Sequence, residues 1–306
     1  ADPNAFPGDG WEACVSDGGD WQLAGASPPG SIGRIEGFES MADLLWRAEA
    51  APDANAFIDA QLIYIEDGGF GSRVVRRYDS HVAQPEGIDC RDAEAALPYP
   101  DFCVGPVQML PIINDAFDAG AMGEEPWINA ARLEATFLWF LYVSTYKEAN
   151  TCQTTIADCD SSWAYYGGGG QRMDPSGYGA YVRAIDPEVH SAVFDGLLAV
   201  RCWRDLDNGE QSMNAELASQ AFGQLDSALD RSFALLLVDR LISAAGLEGD
   251  RQAAAIEAAR IIGHGLDRAL RAADPAAADA LAAGLMANPI DFAGLAALVG
   301  DAIPCP

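Results

Sequence analysis

Residues 130–149 read AARLEATFLWFLYVSTYKEA, and the fold turns on this stretch. Its middle, Ala135 to Val143, is apolar on nearly every side of a helix instead of along one stripe, the mark of a helix surrounded by others. Glu124, Glu125 and Pro126 make a favourable start, so the spacing predicts a helix from Glu124 to Ala149. The apolar run is far shorter than the ~20 residues that a membrane span needs.

The segments on either side repeat the helical period. Met41, Leu44, Leu45 and Trp46 recur at helical spacing between Glu39 and Glu49, and a second helix begins near Pro52 and Asp53 and carries Phe57, Leu62 and Tyr64. Val107 to Ala119 and Pro187 to Trp203 follow, and Gly177 to Ala184 reads either way. From Gln211 the tail is nearly all helix, as Met213–Ala245, Gly249–Ala273, Ala276–Ala287 and Phe292–Val299, with breaks at Gly246, Pro275 and Pro289. No run alternates with period two long enough to promise a sheet. The expectation is an all-α fold, a multi-helix bundle of eight to ten helices whose long irregular connections, above all 67–105, carry the function. Residues 1–35 form an irregular Gly/Pro-rich segment pinned to the body by Trp11 and Trp21. Residues 36–306 form one helical domain, open to division into two related halves meeting near 150–205.

Charge removes whole classes of partner. With 46 acidic residues against 18 basic ones the net charge is −28, so nucleic acid and anionic membranes are repelled, whereas cations are attracted. The same acidity serves solubility in a saline setting. Lys147 is the one lysine among the basic residues, and the Ala, Gly, Asp and Arg content suits a GC-rich, bacterial-looking genome. The opening ADPNAF reads as a trimmed mature end or an export-vector remnant. Of the seven cysteines, Cys90 with Cys103 and Cys152 with Cys159 bracket short loops, as local staples in an oxidising compartment do. Cys305 is able to join Cys14 or Cys202, leaving one thiol over. The location expected is secreted, periplasmic or cell-surface.

Familiar catalytic signatures are missing: no GxSxG elbow, HExxH, P-loop or CxxCH occurs. DLDNGE at 205–210 resembles the start of a calcium loop, but Gly209 falls where a ligand is expected, which favours a plain turn. The histidines His81, His190 and His264 lie on separate segments, and YDSH puts His81 within reach of Tyr78 and Asp79.

What remains is a chemistry of oxygen donors. DAQLIYIEDGG at 59–69 and DSSWAYYGGGG at 160–170 share an Asp/Tyr/Gly spacing, with Asp160, Tyr165 and Gly169 lying 101 positions after Asp59, Tyr64 and Gly68. An arginine follows each, Arg73 and Arg172, which suggests an internal duplication or a generic helix end. Phenolate and carboxylate are hard ligands suited to Fe³⁺. The candidate metal ligands are Tyr64, Glu66, Asp67, Asp160, Tyr165 and Tyr166, with Tyr146, Glu148 and His81 behind them. Arg73, Arg172 and the N–H groups of Gly168 and Gly169 are candidates to hold an anion. The competing reading is that these tyrosines are wall residues with satisfied hydroxyls.

The two tyrosine/glycine stretches, the Cys-bounded loop before DCDSSWAYYGGG, IYIEDGGFGSR and the tail ADALAAGLMANPIDFAGLAALVGDAIPC together resemble the algal low-iron-inducible periplasmic (FEA-type) proteins and the related phytotransferrins. The likeness spans most of residues 50–305, although the family's serine and asparagine after the glycine are not matched at Gly68, Gly69 and Phe70. It implies an extracytoplasmic protein, not an enzyme, that binds ferric iron with carbonate as synergistic anion, and a cell-surface receptor or transporter is a candidate partner. Two alternatives stand beside it. One is an imelysin-like exported helical protein or peptidase, whose GxHxxE pattern is missing around His264; the other is an acidic surface protein that binds a protein or glycan.

Overall fold

The computed structural model describes residues 19–25, 27–66, 68–206 and 215–303. Among the described residues it is all-α, with 13 α-helices and no strand. In chain order these are α1 (Ser31–Leu44), α2 (Ala54–Ile65), α3 (Gly71–Val74), α4 (Ala93–Ala96), α5 (Leu110–Ala121), α6 (Pro126–Thr151) and α7 (Ala157–Gly167). Then come α8 (Gly177–Ile185), α9 (Pro187–Leu206), α10 (Ala215–Ala245), α11 (Gly249–Ala273), α12 (Pro275–Leu285) and α13 (Phe292–Ala302). The count exceeds the eight to ten expected because α3 and α4 are single turns inside the 67–105 connection and because the ambiguous segment at Gly177 is helical. A π-helical turn, Gly105–Met109, leads into α5, and α1 starts at Ser31, ahead of the apolar period that announces it.

The long helix behaves as its composition demands: every residue from Leu133 to Thr145 is buried. Boundaries fall where side chains can satisfy the first free N–H groups. Asp53 caps α2 by accepting from the Ala56 N–H at 2.9 Å, Asp274 caps α12 ahead of Pro275, and Asp291 caps α13.

Contacts divide the chain into two units, 1–36 with 141–232 and 305–306, and 37–140 with 233–304, so the division falls inside α1, α6 and α10. The first unit packs α7, α8 and α9 around Tyr166, Tyr178 and Phe194, all fully buried. In the second, α2 lies against α5 because Gly120 leaves room: a Cβ there would sit 2.2 Å from the Phe57 ring. Phe70, Phe117, Phe137 and Phe140 fill the same core, and α11 packs on α12 through Ile262, Leu266, Leu281 and Leu285.

Both local staples form, Cys90–Cys103 and Cys152–Cys159. Cys202 is disulfide-bonded as well. Cys14, Cys305, Asp67, Trp11 and the turn at 207–210 fall outside the described residues. No helix among the described residues is long and apolar enough to cross a membrane.

Candidate functional site

The two Asp/Tyr/Gly stretches lie in different units, the earlier in 37–140 with 233–304 and the later in 1–36 with 141–232. Their surroundings differ in kind.

In the earlier stretch, Phe57, Ala60 and Tyr64 form the buried face of α2. The helix ends where Glu66 turns extended and gives its N–H to the Leu62 carbonyl. Gly68 and Gly69 then both donate to the Glu66 carbonyl, at 3.0 and 2.9 Å, folding the chain back over the helix end. Only glycine fits at 69, since a Cβ would meet the Tyr64 and Ile63 carbonyl oxygens at 2.3 and 2.5 Å. At Gly71 a Cβ would lie 3.4 Å from the Tyr64 ring, so the returning chain covers the phenol. Phe117 and Phe137 flank that ring, with centroids 5.5 and 5.7 Å away. The Tyr64 hydroxyl is buried and has no hydrogen-bond partner, and it is the only tyrosine hydroxyl among the described residues left so. Burial pushes the phenol well up from its usual range. Arg73, in the single turn of α3, has a buried Nε with no acceptor, and its guanidinium joins no described residue in a hydrogen bond or ion pair. Glu66 is exposed.

The later stretch is internally satisfied. Asp160, buried in the first turn of α7, accepts from the Trp21 indole N–H at 3.0 Å and from the backbone N–H groups of Ala24 and Gly25 at 2.9 and 3.1 Å. Arg201 lies behind it at 3.6 Å. The Tyr166 hydroxyl is 3.0 Å from His190 Nδ1, and His190 Nε2 is 2.8 Å from the Arg172 carbonyl. A carbonyl only accepts, so the proton sits on Nε2, and Tyr166 donates to Nδ1. Burial holds His190 below its ordinary pKa, with Arg172 and Arg183 adding repulsion that the hydrogen bond to the Arg172 carbonyl only partly offsets. Burial, with Tyr178 beside it, pushes Tyr166 well up.

Arg172 is likewise engaged: it donates to the Ser191 carbonyl at 3.0 Å, pairs with Asp195 and lies over the Phe194 ring. The N–H of Gly168 already closes α7 by donating to the Ala164 carbonyl at 2.8 Å. Gly168 and Gly169 both have positive φ, and Cβ atoms there would press into Ile35 and Ile32, at 2.9 and 2.7 Å. The glycines thus let the loop lie directly on α1. Tyr165 is buried and partnered.

The remaining candidates are also held. Glu148 pairs with Lys147 at 3.0 Å, Tyr146 is half-buried and partnered, and His81 Nδ1 lies 2.6 Å from Asp79. Burial alone would raise Asp79, but hydrogen bonds and charge from His81, helped by Arg268, bring it below its usual value. His264 bonds Gln108 and stands edge-on to Trp139.

Two features are missing from the sequence reading: the convergence of residues 21–25 on Asp160, and the Tyr166–His190 link. The expectation that Trp21 pins the N-terminal segment is the signal that leads to the first. Nothing in the spacing of His190 announces the second. No family model matches the chain, and no curated protein or solved structure matches it either.

Proposed function

We propose that the protein is an extracytoplasmic carrier of ferric iron that binds its cargo in the transferrin manner, through tyrosinate with carbonate as synergistic anion. The site is assigned to the earlier stretch, with Tyr64 as the phenolate ligand, Glu66 as a carboxylate ligand and Arg73 as the holder of the anion. The observation that carries this reading is the partnerless buried hydroxyl of Tyr64. A buried hydroxyl without a partner costs about 1–3 kcal/mol and calls for an explanation, and a ligand supplies one. Arg73 adds a cation that pairs with no described residue, in a chain of net charge −28. A phenol raised by burial ionises only beside a strong positive charge, and a trivalent cation is such a charge. The acidic balance draws cations in, and disulfides such as Cys90–Cys103 and Cys152–Cys159 suit an oxidising compartment.

Fe³⁺ added with bicarbonate to the purified protein tests this. The expected result is one bound ferric ion and a visible tyrosinate charge-transfer band that needs bicarbonate, disappears in Tyr64→Phe, survives in Tyr166→Phe, and fades as acid protonates the ligands and anion. Absence of both band and bound metal removes the iron reading; a band indifferent to Tyr64→Phe moves the site.

A further inference from the structure

The segment Trp21–Gly25 is held on α7 in the way a peptide is held by a receptor. Of its five residues only Trp21 is buried, while Gln22, Leu23 and Gly25 are exposed and Ala24 is half-buried. The segment therefore contributes one anchor side chain and its backbone, and almost nothing else. The Trp21 ring lies flat on Trp163, with centroids 5.6 Å apart and planes at 7°. Its indole N–H goes to Asp160, and its backbone is clasped from both sides by Gln171, which accepts from Trp21 N at 2.7 Å and donates to Trp21 O at 3.0 Å. Three residues on, the chain returns to the same carboxylate through the N–H groups of Ala24 and Gly25.

The seat, by contrast, is built into the helices. Asp160 and Trp163 are buried on α7, Trp163 donates its own indole N–H to the Gly170 carbonyl at 3.0 Å, and buried Arg201 on α9 backs Asp160. Serine and two prolines, Ser27, Pro28 and Pro29, separate the segment from α1.

We propose that this face of α7 is a recognition site for an extended, tryptophan-bearing peptide, and that residues 21–25 are its resident, exchangeable occupant. The ligand chemistry is an indole that stacks on Trp163 and donates to Asp160, a backbone paired with Gln171, and two successive N–H groups three and four residues on. The site is independent of the ferric centre assigned to Tyr64. A tethered occupant competes with any free one through its high effective concentration, so the site is masked in the intact chain.

The test uses the full chain carrying Trp21→Ala and a fluorescein-labelled peptide of sequence DWQLAG, residues 20–25, followed by fluorescence anisotropy. Saturable binding is expected. It should be at least tenfold weaker to the intact chain, and lost both with a peptide whose tryptophan is replaced by alanine and with Trp21→Ala/Asp160→Asn. No binding to a Trp21→Ala chain that is folded by circular dichroism overturns the proposal. Should that variant fail to fold, hydrogen exchange on the intact chain decides. The N–H groups of Ala24 and Gly25 should exchange well ahead of those in the middle of α7, and exchange only with global unfolding overturns it.

Discussion

Two stretches with the same Asp/Tyr/Gly spacing put their polar groups to opposite uses. Around Asp160 and Tyr166 the candidate side chains are partnered: indole and backbone N–H for Asp160, His190 for Tyr166, Asp195 for Arg172. Around Tyr64 the ring is also packed among aromatics, yet the hydroxyl and the following arginine have no partner among the described residues. The first is a structural clamp, whose groups are already committed and would have to be released before they bound anything. The second holds unspent capacity, which is why the ferric proposal rests there. A shared spacing thus says where a helix ends and glycine turns the chain; it does not say what the tyrosine is for.

Stability measurements can break this contrast. Asp160→Ala removes the one acceptor of three N–H donors and the carboxylate facing buried Arg201, and should cost roughly 3 kcal/mol, among the larger effects of a single substitution. Urea unfolding reads it, and the stacked pair Trp21–Trp163 should lose its near-ultraviolet dichroism below the transition. A loss under ~0.5 kcal/mol, within the range of an ordinary surface substitution, would mean that the clamp is ornamental and that the two stretches are alike after all.

How much of this the sequence disclosed follows from range. Helix α6 was legible because its signal is local and overwhelming, and the breaks at Pro275 and Pro289 because proline acts on its own neighbours. The two short turns between 67 and 105 carry no period. They are set in place by distant contacts, such as the Asp79 N–H reaching the Phe102 carbonyl at 2.8 Å and the Cys90–Cys103 bridge. Helix α8 was ambiguous because Gly177 and Gly179 weaken helix propensity, and its real support is the Tyr178 hydroxyl on Ser232 at 2.7 Å, 54 positions away. The candidate residues of both stretches could be named from their chemistry. Whether each was already partnered could not, since Asp160 finds Trp21 from 139 positions away and Tyr166 finds His190 from 24, whereas the fold brings no acceptor or donor to the Tyr64 hydroxyl among the described residues.

Acid titration sharpens the comparison at the clamp. His190 is buried neutral, with a folded pKa below the ordinary 6.5, so the unfolded chain takes up a proton first as the pH falls. Stability should therefore decline as the pH drops below about 6.5 and level off once it passes below the folded value, where both states are protonated. His190→Asn should flatten this part of the curve. Asp79 acts lower: with its pKa held below 3.8 by His81 and Arg268, its contribution is present above that value and lost as the pH falls through the folded pKa. A stability curve flat from pH 7 to 5 in the intact chain would place His190 in water, not in a core.

The smallest effect is the most telling. Tyr166→Phe removes a hydroxyl that His190 needs as its donor, leaving Nδ1 buried without one, and should cost about 1–2 kcal/mol. Tyr64→Phe removes a hydroxyl that bonds to none of the described residues, so the metal-free protein should be unchanged or more stable by up to ~1 kcal/mol. The pair differ in sign although both rings are buried among aromatics. If Tyr64→Phe destabilised the metal-free protein as much as Tyr166→Phe, the Tyr64 hydroxyl would have a partner in solution and the case for a ligand at that position would fall. If instead it raised stability while abolishing the ferric band, the hydroxyl would be a group kept at a cost to the fold, and binding would be the reason for keeping it.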